Sequence, residues 1–342
     1  MKFLRLAFYV LIAQLVLSGC AGEGVEETSS SSSSEINFDA YLGRNASTRA
    51  GVTDIASLKK SGFGVFARYK HTDGTISPLM DNEHVTWNGD HWGYTNTRYW
   101  PNEGTVDFYA FAPYLENVEL VKDPKSNDAN PTYIEFTSST SPVDLVWGAQ
   151  TGKNALTSQT PDGKVKFQFK HALARLGFDI TVNQKLEENG AVIIVKEVKL
   201  YGNTKNEGAF DIKGYLNLEN GTWSVDPEIS TRAVYTWTPT GAEDGTFKLT
   251  ASQLDHTREK IENASNSYLC IIPHQKHYPF YLQITYTVQQ GAFFQEEVTV
   301  RKNLLDVHSP FPFEQGKAYV FHLKLSLDPI NFNISATVED FF

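Results

Sequence analysis

The sequence predicts an all-β chain folded as two antiparallel β-sandwiches in tandem, and three observations lead there. Apolar and polar residues alternate along at least five segments, as half-buried strands require. Helical periodicity is scarce, and there is no regular succession of strand and helix of the kind that builds a parallel α/β sheet. Beyond its polar start the chain has about 300 residues, more than one all-β domain usually needs and enough for two with cores of their own. Apolar residues at 41% and aromatic residues at 13%, with 16 Tyr and only 2 Met, suit pleated surfaces rather than a disordered chain.

Taken in order, residues 1–19 run from a basic start (Lys2, Arg5) through an apolar stretch from Leu6 to Leu17 into Leu17-Ser18-Gly19-Cys20. This reads as a lipoprotein signal peptide, too short for a lasting membrane span, with Cys20 as the lipid attachment site of a chain anchored in an outer membrane. A plain secretory cleavage beside an ordinary cysteine is the other reading, and the small residues before Cys20 favour the anchor. Residues 20–35 hold Glu23, Glu26, Glu27 and six consecutive serines, Ser29 to Ser34. As a flexible coil of about 15 residues this tether would reach on the order of 20 Å.

Ile36, Phe38, Ala40 and Leu42 alternate with Asn37, Asp39 and Tyr41, which makes 36–42 an amphipathic first strand. Arg44 and Arg49 follow among Gly, Asn, Ser, Thr and Ala, in what should be an exposed loop. Thr53 to Lys60 reads as two helical turns with Thr53 as N-cap, Ile55 and Leu58 facing inward and Gly62 as terminator. Strands are then expected around Phe63, Val65, Ala67 and Tyr69, around Val106, Phe108, Ala110 and Ala112, and through Val165-Lys166-Phe167-Gln168-Phe169-Lys170. His171 to Leu176 is a second, weaker helical candidate. Further strands fall at Leu282 to Val288, Tyr319 to Leu327 and Phe332 to Val338. A polar dip from Asn183 to Gly190 separates two strand-rich regions, although it could equally be a hairpin loop. The expected sandwiches are residues 36–175 and 176–342, with the boundary between about 165 and 190.

Charge and cysteine content narrow the function. Removing Lys2 and Arg5 with the signal leaves 28 basic against 40 acidic residues, a net charge of −12 that argues against nucleic acid as a partner. With Cys20 committed to lipid, Cys270 has no disulfide partner, so stability must come from packing. There is no G-x-S-x-G, H-E-x-x-H, Walker or EF-hand pattern, and Gly62-Phe63-Gly64 lacks the third glycine of a dinucleotide site. Cys270, His274 and His277 offer only three ligands in no recognised zinc spacing, so neither a metal nor another cofactor is expected. Trp87, Trp92, Tyr94, Tyr99 and Trp100 crowd together near Gly89, Gly93 and Pro101. Trp92 and Trp100 could stack on sugar rings, but packing between strands explains the crowding more cheaply. No pair of carboxylates marks an acid and a base, and the chain is read as a non-enzyme.

Four segments together resemble the Bacteroides-type fimbrillin family of lipoprotein pilins. They are Val106-Asp107-Phe108-Tyr109-Ala110-Phe111-Ala112-Pro113-Tyr114, Asp144-Leu145-Val146-Trp147-Gly148, Phe169-Lys170-His171-Ala172-Leu173-Ala174-Arg175-Leu176, and the ending from Phe313-Glu314-Gln315-Gly316-Lys317-Ala318-Tyr319 through Ile330 to Val338-Glu339-Asp340-Phe341. Phe341 stands where the family usually has Trp. The resemblance spans nearly the whole mature chain and implies two transthyretin-like sandwiches, export as a lipoprotein, and assembly into surface fimbriae by strand exchange after an arginine-specific protease removes the first strand.

The residues permit this. A cut after Arg44 or Arg49 would release lipid and strand together and open an apolar groove for an extended segment of another subunit. The same arginines would also suit an uncut loop. The chain stops shortly after its last expected strand, which leaves no spare extension to donate unless that strand swings out. A tip or accessory adhesin is therefore the expectation, with other fimbrial subunits as partners and surface glycans or proteins as further ones. The rival readings are a monomeric glycan-binding surface lipoprotein of a nutrient-uptake system, with the aromatic cluster as its face, and, third, a surface hydrolase.

Overall fold

The structure is a computed structural model that describes residues 34–43, 54–125, 130–138, 143–156, 163–182, 191–204, 207–225, 232–237, 247–249, 269–273, 281–290, 294–304, 313–325 and 333–340. Cys20, Arg44, Arg49, His274, His277 and the dip at 183–190 lie outside them. The first part of the chain forms β1 (Asn37–Leu42), α1 (Ile55–Ser61), β2 (Phe63–Lys70), β3 (Ile76–Trp87), β4 (Trp92–Gly93), β5 (Thr105–Ala112), β6 (Leu120–Val121), β7 (Tyr133–Thr137), β8 (Val146–Lys153) and β9 (Lys164–His171). Then come β10 (Ala174–Val182), β11 (Ala191–Tyr201), β12 (Phe210–Asp211), β13 (Lys213–Asn217), β14 (Trp223–Ser224), β15 (Arg232–Ala233) and β16 (Tyr235–Trp237). The last are β17 (Phe247–Leu249), β18 (Leu269–Ile271), β19 (Tyr281–Gln290), β20 (Phe294–Asn303), β21 (Lys317–Leu325) and β22 (Asn333–Asp340). The chain is all-β, as its alternation requires.

A seven-stranded sheet runs β1-β9-β8-β5-β2-β3-β4, and a four-stranded sheet runs β14-β13-β7-β6. Further along the chain, β18-β10-β21-β22 forms one sheet and β16-β11-β19-β20, with β17 also on β11, forms another. Most pairs are antiparallel, but β1–β9 and β10–β21 are parallel. Neither pair is joined by a hairpin; each brings together segments distant in sequence, and parallel pairing is then available to them.

Three cores result. One lies on a face of the seven-stranded sheet, around Phe38, Phe63, Val65, Phe108 and Phe167. A second collects Phe66, Tyr109 and Phe111 from the other face with Ile134 and Phe136 of β7 and Leu216 of β13. The third joins β10 and β21 to β11 and β19 through Phe178, Ile193, Ile284 and Phe321. Strands β2 and β5 are therefore buried on both faces, where alternation alone would leave one wet. Strand β9 keeps the expected buried and exposed alternation.

The helix differs from expectation at its start. Its N-cap is Asp54, whose side chain accepts from Ser57 N at 2.6 Å; Leu58 is fully buried, while Ile55 is 45% exposed. A helix of 7 residues, about two turns, has room for few inward positions, and Leu58 is the one it buries. Gly62 ends the helix at φ 67°, and a Cβ there would lie 2.6 Å from the Val85 carbonyl oxygen. His171 to Leu176 is not helical: it completes β9, turns through the fully buried Ala172 and Leu173, and begins β10. Its apolar residues face cores on either side of a turn, a burial pattern that imitates helical spacing in so short a run.

Candidate functional site

The site is the place that β1 occupies. This strand is the outer member of the seven-stranded sheet, with register Phe38↔Val165, Ala40↔Phe167 and Leu42↔Phe169. Ile36, Phe38 and Ala40 are at most 4% exposed, and Leu42 packs partly buried against the same core. Asn37 and Tyr41 face outward, and Tyr41 Oη donates to Asp39 Oδ2 at 2.7 Å. Phe38 sits at the centre of a ring cluster, 5.9 Å from Phe167 in a stacked arrangement and 6.0 and 6.4 Å from Phe108 and Phe63 edge-on.

The start of the strand is held on both sides. Ile36 N donates to Arg98 O at 2.8 Å, Trp100 N to Ser34 O at 3.0 Å, and Tyr94 Oη to Ile36 O at 2.7 Å. From 37 to 42 its only backbone ladder among the described residues is with β9. Burying Ile36 and Phe38 contributes about 3–6 kcal/mol of transfer free energy before ordering entropy is subtracted. Release of β1 would expose the β9 edge and a row of phenylalanines, which only another apolar strand can cover without penalty.

Beyond Leu42 the slot continues into a cavity of about 390 Å³ lined by Gly43, Trp147, Phe169, Lys170, His171 and Gly316. Lys170 Nζ stands 5.5 Å from the Trp147 ring centroid, and His171 Nδ1 is 3.0 Å from Asp144 Oδ2, both of those residues being buried. Backbone edge, apolar row and cavity lie in one line along β9.

Trp92 and Trp100 belong to this same core, 4% and 3% exposed. Trp92 packs on Phe63 at 4.9 Å and Trp100 on Phe108 at 5.6 Å, so both line the interior rather than a surface platform. Cys270 is 5% exposed, and burial pushes its thiol well up from its ordinary range. Sequence reasoning missed the clamp of residues 94–100 on 34–36 and the cavity beyond Leu42. The alternation of Ser34 to Ile36 with Arg98 to Trp100 was too brief to pair by pattern.

The sequence matches the family profile described as "Fimbrillin-like" over residues 48–340. The chain belongs to the fimbrillin-like family. Among curated proteins, this fimbrillin-like chain is 28% identical over 273 residues to fimbrium subunit Fim1C of Phocaeicola vulgatus, covering 74% of this chain and 69% of the relative. Its fold is that of a fimbrial protein from Bacteroides vulgatus, with a TM-score of 0.68 at 21% identity over 90% of this chain and 99% of that one. A candidate cell adhesion protein from Bacteroides ovatus superposes with a TM-score of 0.52 at 12% identity, covering 91% and 98%.

Proposed function

We propose that this protein is a fimbrial subunit that reaches the outer membrane as a lipoprotein through Cys20 and joins a surface fimbrium by strand exchange. Cleavage after Arg44 or Arg49 frees β1 with its tether, and an extended strand of a neighbouring subunit takes its place beside β9. The observation that carries this reading is the first strand itself. It is short, paired with one neighbour along 37–42, buried through one face into an aromatic core, and followed at Gly43 by the arginine-bearing segment. Kinship with the Fim1C fimbrium subunit supports assembly rather than catalysis.

A tip or accessory position fits best. A stalk subunit must donate a strand as well as accept one, and β22, the last described strand, is engaged with β21 from Lys317↔Asp340 to Lys324↔Asn333. To act as donor it would have to leave that ladder. Mass spectrometry of the N-terminus, on protein from sheared fibres and from membranes, tests the reading. A start after Arg44 or Arg49 in fibres with lipidated Cys20 in membranes is expected; Cys20 retained in every copy, with none in fibres, would sink it.

A further inference from the structure

The two ends of β1 are held unequally. At its start, residues 34–36 lie antiparallel to residues 98–100, with Glu35 opposite Tyr99. The bonds from Ile36 N to Arg98 O, from Trp100 N to Ser34 O and from Tyr94 Oη to Ile36 O fasten this end. The segment that grips it is itself fixed to the sheet. Arg98 Nε donates to Leu79 O of β3 at 3.1 Å, and Arg98 N donates to Tyr94 Oη at 3.1 Å. The Tyr94 ring lies 5.4 Å from that of Phe38, and Trp100 is buried against Phe108.

At the other end nothing comparable is present among the described residues. Burial falls along the strand, from Ile36 at 0% and Phe38 at 1% exposed to the partly buried Leu42. Gly43 is exposed, and a Cβ there would meet nothing within 4 Å. The cavity described above adjoins Gly43 and leaves space beside this end for the first residues of another chain.

We propose that residues 94–100 are a latch that keeps β1 seated after the chain is cut, so that exchange begins at the Leu42 end and residues 34–36 leave last. The latch rests on the cleavage reading above. A cut after Arg44 or Arg49 breaks no bond of residues 34–36, which stay fastened while the new end at Leu42 frays. At the usual net strength of a hydrogen bond, the three at the start slow the fragment's departure on the order of a hundredfold. The slot stays covered until another strand enters from the frayed end, and the β9 edge is not offered to unrelated strands. A cut subunit also stays tethered through Cys20 until that moment.

A full-length chain carrying a single site-specific protease site between Arg44 and Arg49 tests the latch without fibre or partner subunit. After cutting, native mass spectrometry follows loss of the N-terminal fragment, and hydrogen exchange reads the β1 amides that face β9. The fragment should stay bound, and amides nearer Leu42 should exchange at least tenfold faster than those nearer Ile36. Tyr94→Phe keeps the ring on Phe38 but removes the hydroxyl that holds Ile36 O, and should speed departure about tenfold. Tyr41→Phe, which removes a hydroxyl at the other end, should leave the rate unchanged. The proposal is overturned if the parent's fragment departs as fast as that of Tyr94→Phe, if Tyr41→Phe speeds departure equally, or if exchange is uniform or reversed along β1. The gradient needs no variant, so it decides even where a substitution prevents folding. With no partner present, failure here leaves the fibre measurement, and with it the strand-exchange reading, standing on its own.

Discussion

At the scale of single residues, burial decides what each candidate does. Phe38→Ala removes the hub of the aromatic cluster and should destabilise the chain by about 3–5 kcal/mol in urea unfolding, whereas Tyr41→Ala, on the wet face of the same strand, should change it by less than about 0.5 kcal/mol. Equal effects would mean that β1 is not seated as described. Ionisation gives a second check. Burial raises the phenols of Tyr109 and Tyr235 above the ordinary 10.0, so the unfolded chain loses these protons first. Their contribution to stability is complete below pH 10.0 and falls as pH rises beyond it; urea midpoints should hold to about pH 9 and then decline. The alternation of residues 36–42 already named the buried Ile36, Phe38 and Ala40. It could not assign Trp92 and Trp100, because period two says which residues share a face and not which face the fold covers.

At the scale of the element, β1 was legible as a strand and its partner was not. Phe38 pairs with Val165, and no local signal spans such a distance or tells parallel from antiparallel. The helix shows the same limit in small: Leu58 and Gly62 were readable, but Asp54 displaced Thr53 as cap because its carboxylate reaches Ser57 N. If β1 is a separable plug, a chain lacking residues 34–43 should unfold at lower urea, and a synthetic peptide of residues 34–43 should restore the midpoint in proportion to its concentration, as any ligand of the folded state does. A peptide with Phe38→Asp should not. Restoration by both peptides alike would show that the slot does not read the apolar row.

At the scale of the whole molecule, two strand-rich regions could be read from composition, but the sheet that joins them could not. Strand β7 pairs with β13 from Lys213↔Thr137 to Asn217↔Tyr133, so a sheet that covers the N-terminal strands is completed by residues beyond the expected boundary. The shared core follows: Phe66, Tyr109 and Phe111 meet Leu216, Leu218 and Ile272. Cut between residues 182 and 191, the N-terminal piece loses β13 and β14 and exposes Ile134, Phe136 and Phe66, all at most 4% exposed in the whole chain. An apolar patch of that kind drives association. The two pieces produced separately should therefore aggregate or bind a hydrophobic dye, and co-expression should yield a soluble complex with the spectroscopic signature of the whole chain. Two soluble, cooperatively melting pieces would show instead that the middle core is dispensable. On the expected outcome, removing β1 should leave the two halves joined, because the core they share lies on the opposite face of the seven-stranded sheet from the one that Phe38 packs into.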